Sequence, residues 1–275
     1  MTRPLSAWLS VLALLALPGC ADEVLVADKP DYGFFWVSRS PLVPGDVGAV
    51  FSNQLARLGV EVVESDGVCQ LEHWAKPDPS NDATESVPLD AGELRVTGGL
   101  ADRAVGFANG YRLAESAPIF EAGDELTLEV EGSDEVAPMS VTVTAPPSPV
   151  IASPPTMLDI GEDFSVTWTS PPGKGTLQLY LQVSWDPVKP GPSTMSSGPR
   201  DMVRCFADVS QGKLTMPASL LSQISTSGSE PAVIAGVVSN DVIHKVGGSL
   251  VRFSVQSTPV TPGGEGYFSN VDLKK

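Results

Sequence analysis

Leu177-Gln178-Leu179-Tyr180-Leu181-Gln182-Val183-Ser184-Trp185 alternates without a break between apolar residues and residues suited to water. Successive side chains of an extended strand point to opposite faces. Leu177, Leu179, Leu181, Val183 and Trp185 therefore line one side, and Gln178, Tyr180, Gln182 and Ser184 the other. Strict alternation of this kind marks a strand with one face in a core and one in solvent, as antiparallel sheets require. The same period returns at Leu126/Leu128/Val130, Phe164/Val166/Trp168 and Val251/Phe253/Val255. Clusters of Gly, Pro, Asn and Asp at 65–67, 77–82, 109–110, 171–175, 186–199, 227–231 and 261–266 punctuate the runs as turns.

Read this way, strands are expected near 33–38, 46–52, 59–63, 67–74, 92–98, 103–108, 110–115, 124–131 and 138–144. A second set is expected near 156–160, 162–169, 175–185, 201–207, 212–216, 231–239, 241–246, 249–256 and 267–272. One short helix is expected over Pro217–Ile224, with Pro217 at its first position and Leu220, Leu221 and Ile224 on one stripe. Between the sets lies Ala145-Pro-Pro-Ser-Pro149, a semi-rigid connector poor in backbone donors. The fold class is all-β. Two β-sandwich domains are expected in tandem, a first over 32–145 and a second over 151–275 that carries the helix, joined by a linker at 146–150. Each is expected to fold separately. With Trp168 ahead of the long alternating strand at 177–185, the second half resembles a fibronectin type III or immunoglobulin-like domain. The Cys…Trp…Cys spacing of true immunoglobulin domains is absent, because Cys205 has no upstream cysteine in its own half.

The N-terminus is an address. Arg3 precedes an apolar run from Leu5 to Leu17, too short to span a bilayer but suited to a secretory signal peptide. It ends in Leu17-Pro18-Gly19-Cys20, which resembles the lipobox of bacterial lipoproteins. The resemblance implies a signal peptide over 1–19, cleavage before Cys20, diacylglycerol on its thiol and a lipidated tether over 20–31. Pro18 departs from the small residues the family prefers there. Ala21 after the cysteine implies outer membrane rather than inner membrane.

Composition narrows the partners. The 275 residues carry 17 Lys and Arg against 33 Asp and Glu, a net charge of −16, which excludes a basic footprint for nucleic acid. Two histidines and three cysteines leave little material for metal or catalytic chemistry, and no cofactor is expected. Past Cys20, the cysteines at 69 and 205 are a lone pair in an oxidising compartment. Each sits on an apolar row, Cys69 with Leu71 and Cys205 with Val203 and Ala207. The choice is between a disulfide joining the halves and two buried thiols in separate cores. Separate sandwiches lead us to expect free thiols.

His73 lies about 13 Å along a strand from Cys69, too far to share a metal, and His244 precedes a Gly-Gly-Ser turn. Zinc spacings, a G-x-S-x-G elbow and a calcium-loop pattern are all missing, so no metal and no catalytic residue is expected. Asp78, Asp82, Glu85 and Asp90, like Glu121, Asp124, Glu125, Glu129 and Glu131, read as solvated acidic faces. Tyr32, Phe34, Phe35 and Trp36 cluster behind the tether, while Trp74, Tyr180, Trp185 and Tyr267 are scattered.

The functional expectation is a lipid-anchored cell-envelope protein acting as a non-catalytic binding or structural module. Its partners are the membrane and envelope proteins or polysaccharide. One alternative is a carbohydrate-binding or exopolysaccharide-binding surface lipoprotein, which an exposed aromatic row on a sheet face would favour. A second is a hydrolase, which a polar cleft holding His73 or His244 beside a serine and a carboxylate would favour.

Overall fold

The 177–185 stretch keeps its parity in space. Leu177, Leu179 and Leu181 are fully buried, and Val183 is 2% exposed. Gln178, Tyr180 and Gln182 are half-buried on the other face. At about 1.5–3 kcal/mol for each large side chain withdrawn from water, this one row holds its strand firmly in place. The computed structural model describes residues 32–52, 59–75, 89–108, 110–184, 200–224, 232–246 and 249–274.

The chain is all-β. Its first strands are β1 (Tyr32–Arg39), β2 (Gly45–Ser52), β3 (Gly59–Ser65), β4 (Cys69–Ala75), β5 (Leu94–Thr97) and β6 (Arg103–Val105). Next come β7 (Tyr111–Glu115), β8 (Glu125–Val130), β9 (Met139–Thr144), β10 (Val150–Ile151), β11 (Met157–Asp159) and β12 (Phe164–Thr169). The last are β13 (Thr176–Ser184), β14 (Arg200–Asp208), β15 (Lys213–Met216), β16 (Ala232–Val246), β17 (Ser249–Ser257) and β18 (Phe268–Lys274). The expected helix is a single turn, α1 (Ala218–Leu221), with Pro217 at its N-cap and Leu220, Leu221 and Ile224 buried. The runs read as separate strands at 231–239 and 241–246 form one strand, β16. Asn240 and Asp241, residues that usually mark turns, sit mid-ladder opposite Val255 and Ser254 of β17.

Among the described residues there are two hydrophobic cores, and one sheet runs through both. The eleven-stranded sheet follows β3-β4-β14-β13-β16-β17-β1-β2-β7, with β18 beside β16 and β11 beside β18. A three-stranded sheet, β10-β12-β15, closes the core built mainly from the second half. A four-stranded sheet, β6-β5-β8-β9, closes the other. The three-stranded sheet and the long sheet bury their facing sides in one core, which makes this part of the chain a β-sandwich.

The halves do not keep their strands to themselves. The hairpin β3–β4 belongs to the first half by sequence, yet β4 pairs with β14 and places Cys69 and Leu71 in the second core. In return, β17 from the second half runs parallel to β1 and buries Val251, Phe253 and Val255 in the first core. The division into self-contained units at 32–145 and 151–275 is therefore corrected to two cores that exchange hairpins. Alternation shows which face of a strand is apolar. It does not show which core receives that face.

The exchange also explains the cysteines. Cys69 faces Cys205 across the β4–β14 ladder, with Cα atoms 3.9 Å apart, and the two are disulfide-bonded. The expectation of two free thiols assumed two separate cores. Both cysteines belong to the same core, 2% and 0% exposed.

The proline connector is likewise packed rather than free. Pro146, Pro147 and Pro149 are buried. Proline lacks an N–H but keeps its carbonyl. Ser257 Oγ donates to the Pro147 carbonyl at 2.7 Å, and the Val260 N–H to the Pro149 carbonyl at 2.9 Å. Asn240 Nδ2 donates to the carbonyls of Thr144 and Lys174, at 2.8 and 3.0 Å, tying β16 to both sides of the connector.

Candidate functional site

Parity divides the aromatic cluster behind the tether. On β1, Phe35 and Val37 are fully buried in the first core, so Phe34 and Trp36 face outward. Their neighbours follow from the ladders. Phe34 stands between Arg252 of β17 and Val50 of β2, and Ile243 of β16 flanks Arg252. Two residues along, Trp36 stands between Ser254 and Gly48, with Asp241 beyond Ser254 and Arg112 of β7 beyond Gly48. These positions span five adjacent strands, about 19 Å at the usual strand spacing.

Phe34 and Trp36 stack at 5.4 Å between ring centroids with 25° between planes. Arg252 holds its guanidinium 5.8 Å from the Phe34 centroid and pairs with Asp241 at 2.6 Å. On the other flank Trp36 Nε1 donates to Asp46 Oδ2 at 3.2 Å, and Arg112 Nε lies 3.4 Å from Asp46 Oδ1. Gly48 makes room for the indole, since a Cβ there would stand 2.2 Å from its Cζ2. Val50 and Ile243 are 48% and 68% exposed. The result is an aromatic strip on a hydrogen-bonded sheet, edged by two apolar side chains and two Arg–Asp pairs.

The other candidate residues lie elsewhere. Cys20, Asp78, Asp82, Glu85 and Trp185 are outside the described residues, as is the Trp74 side chain. His73 Nδ1 lies 2.9 Å from Asp201 Oδ1 across the β4–β14 ladder, where Asp201 is only 6% exposed. Two positions along the same face stand Leu71 and Val203, both in the core. His244 is half-buried at the far end of β16. On the outer face, Glu72, 2% exposed, accepts from Gln70 Nε2 at 2.5 Å and from Arg204 Nη2 at 3.0 Å. Gln178, with its amide oxygen turned toward Arg204, accepts from Nε at 3.0 Å. Tyr180 sits half-buried beside Arg204, and Tyr267 is 1% exposed.

The acidic groups act locally. Asp90 Oδ1 accepts from the Tyr111 hydroxyl at 3.0 Å, while that hydroxyl accepts from the Ala91 N–H at 2.6 Å. Burial, with Asp90 nearby, pushes the Tyr111 phenol up to about 12. Asp124 caps the Glu121 N–H, and Glu125 accepts from Thr144 Oγ1 at 2.6 Å. An open groove on the four-stranded sheet is lined by Glu93, Arg95, Glu129, Glu131 and Ser140. Among the described residues, no three His, Cys, Asp or Glu side chains are grouped to hold a metal ion. Among those same residues, no helix is long and apolar enough to cross a membrane.

The sequence pointed to the aromatic cluster but not to its frame. Arg252, Asp241, Gly48 and Asp46 reach it through the parallel β1–β17 pairing and the β2 ladder, which no local pattern announces.

No family model matches the sequence, and no curated protein matches it. Among solved structures, the crystal structure of murine CEACAM1b aligns at 10% identity over 89% of this chain and 100% of that chain, with a TM-score of 0.18. A superposition at that score carries no argument, and the fold rests on its own topology.

Proposed function

We propose that this chain is a non-catalytic binding module of the cell envelope, held there by lipid on Cys20, and that the outer face of β16-β17-β1-β2-β7 is its binding surface. The observation that carries the proposal is the Phe34–Trp36 strip. Two large aromatic side chains stand on the solvent side of a sheet whose opposite face is a packed core. Backbone ladders on both sides of β1 fix their positions, so little ordering cost remains at binding. Tryptophan and arginine dominate binding energy at protein surfaces, and here Trp36 and Arg112 both meet Asp46. The lipid reading is supported by Leu17-Pro18-Gly19-Cys20.

Hydroxyl-radical footprinting of the full chain, alone and with fractions of cell envelope, tests the proposal. At least one fraction should protect Phe34 and Trp36 while Phe268, 45% exposed on another strand, stays reactive. If no fraction protects the strip, the binding reading fails.

A further inference from the structure

We propose that the Phe34–Trp36 strip is a subsite for a neutral polysaccharide, an inference that rests on the binding-module reading above and names its ligand. A sugar ring presents an apolar C–H face ringed by hydroxyls that both donate and accept. The strip matches both parts. Phe34 and Trp36 stack in a row along β1, half-buried, with Arg252 over the Phe34 ring. The indole leans over β2 only because residue 48 has no side chain, so the sheet is cut to carry it.

Around the rings stand two guanidinium groups, Arg252 and Arg112, and two carboxylates, Asp241 and Asp46. Each flank thus carries one guanidinium and one carboxylate, a donor group beside an acceptor group, as a hydroxyl rim requires. Arg252 and Arg112 keep 44% and 64% of their side-chain surface exposed, so both guanidinium groups can reach a ligand.

The charge balance selects among polymers. The strip is locally neutral, whereas the chain carries −16. An anionic polysaccharide would be repelled by the surrounding surface. A cationic polymer would be spread over the acidic faces elsewhere on the chain rather than gathered at the strip. A neutral chain meets neither obstacle. At about 19 Å, the strip and its flanks accommodate several sugar rings in a row. With only two rings to stack on, a single site binds weakly and gains from many copies displayed on one membrane.

The test is affinity electrophoresis of the full chain in detergent. The gels carry hydroxyethyl cellulose, laminarin or dextran as neutral probes, and alginate as the acidic one. At least one neutral glucan should retard the protein, and alginate should not. Trp36→Ala and Arg252→Ala should each weaken retardation at least tenfold, each read against the same variant's own mobility in a plain gel. Arg252→Ala alone decides the matter if Trp36→Ala does not fold. The inference is overturned if no neutral glucan retards the protein, if alginate alone does, or if Arg252→Ala is retarded like the parent. Should footprinting show the strip protected by a protein fraction and not by glycan, the ligand class is wrong while the binding reading stands.

Discussion

Tyr111 and Tyr267 show what burial does to a polar group in this fold. Tyr267 is 1% exposed, and burial pushes its phenol up to about 12, as burial beside Asp90 does for Tyr111. Both values lie above the ordinary value near 10, so the fold favours the neutral phenols. Their contribution to stability is complete below about pH 10 and is lost as the pH rises toward 12. Ultraviolet titration should therefore leave Tyr111 and Tyr267 protonated at about pH 11 until urea releases them. One native transition near pH 10 for all four tyrosines would contradict the burial. Gly48 is the second telling residue. A side chain there meets the Trp36 indole at 2.2 Å, so Gly48→Val should cost about 1–3 kcal/mol in urea unfolding and displace the ring. Unchanged stability would mean that the indole does not lie over β2.

At the scale of elements, the strands were legible and their partners were not. Leu126, Leu128 and Val130 face a core as their alternation requires, and so do Val251, Phe253 and Val255. The core reached by the second row lies in the other half of the chain. Period two fixes a face, whereas strand pairing across more than a hundred residues depends on which edge is left open. The edge of β14 accepts β4, and the edge of β1 accepts β17. The aromatic cluster at 32–36 was legible as a cluster, yet Arg252 and Gly48 stayed invisible because their contacts are entirely cross-strand. A fragment of residues 150–275 tests the exchange. It lacks β4, leaves Cys205 without its partner and exposes the Val251–Val255 row to water. We expect it to aggregate or to unfold without cooperativity. A monomeric fragment with a sharp thermal transition would show that the second half stands alone.

At the scale of the whole molecule, the two cores behave as one unit because hairpins cross between them and Cys69–Cys205 locks one crossing. Closing a loop of 136 residues removes chain entropy worth about 5 kcal/mol from the unfolded state. Such a bond is what the export proposed from residues 1–20 calls for, since disulfides persist in oxidising compartments. The anchor proposal belongs to this scale too. Cys20→Ser should release the protein from membranes, and a variant that still pellets at high salt would defeat the lipid reading. The exchanged-hairpin architecture itself predicts a single covalent link between residues far apart in the chain. Peptide mapping of the full chain, alkylated under denaturing and non-reducing conditions, tests it most directly. The account predicts one linked pair of peptides carrying Cys69 and Cys205, with neither thiol alkylated before reduction. Two alkylated thiols at those positions would contradict it and return the cysteines to separate cores.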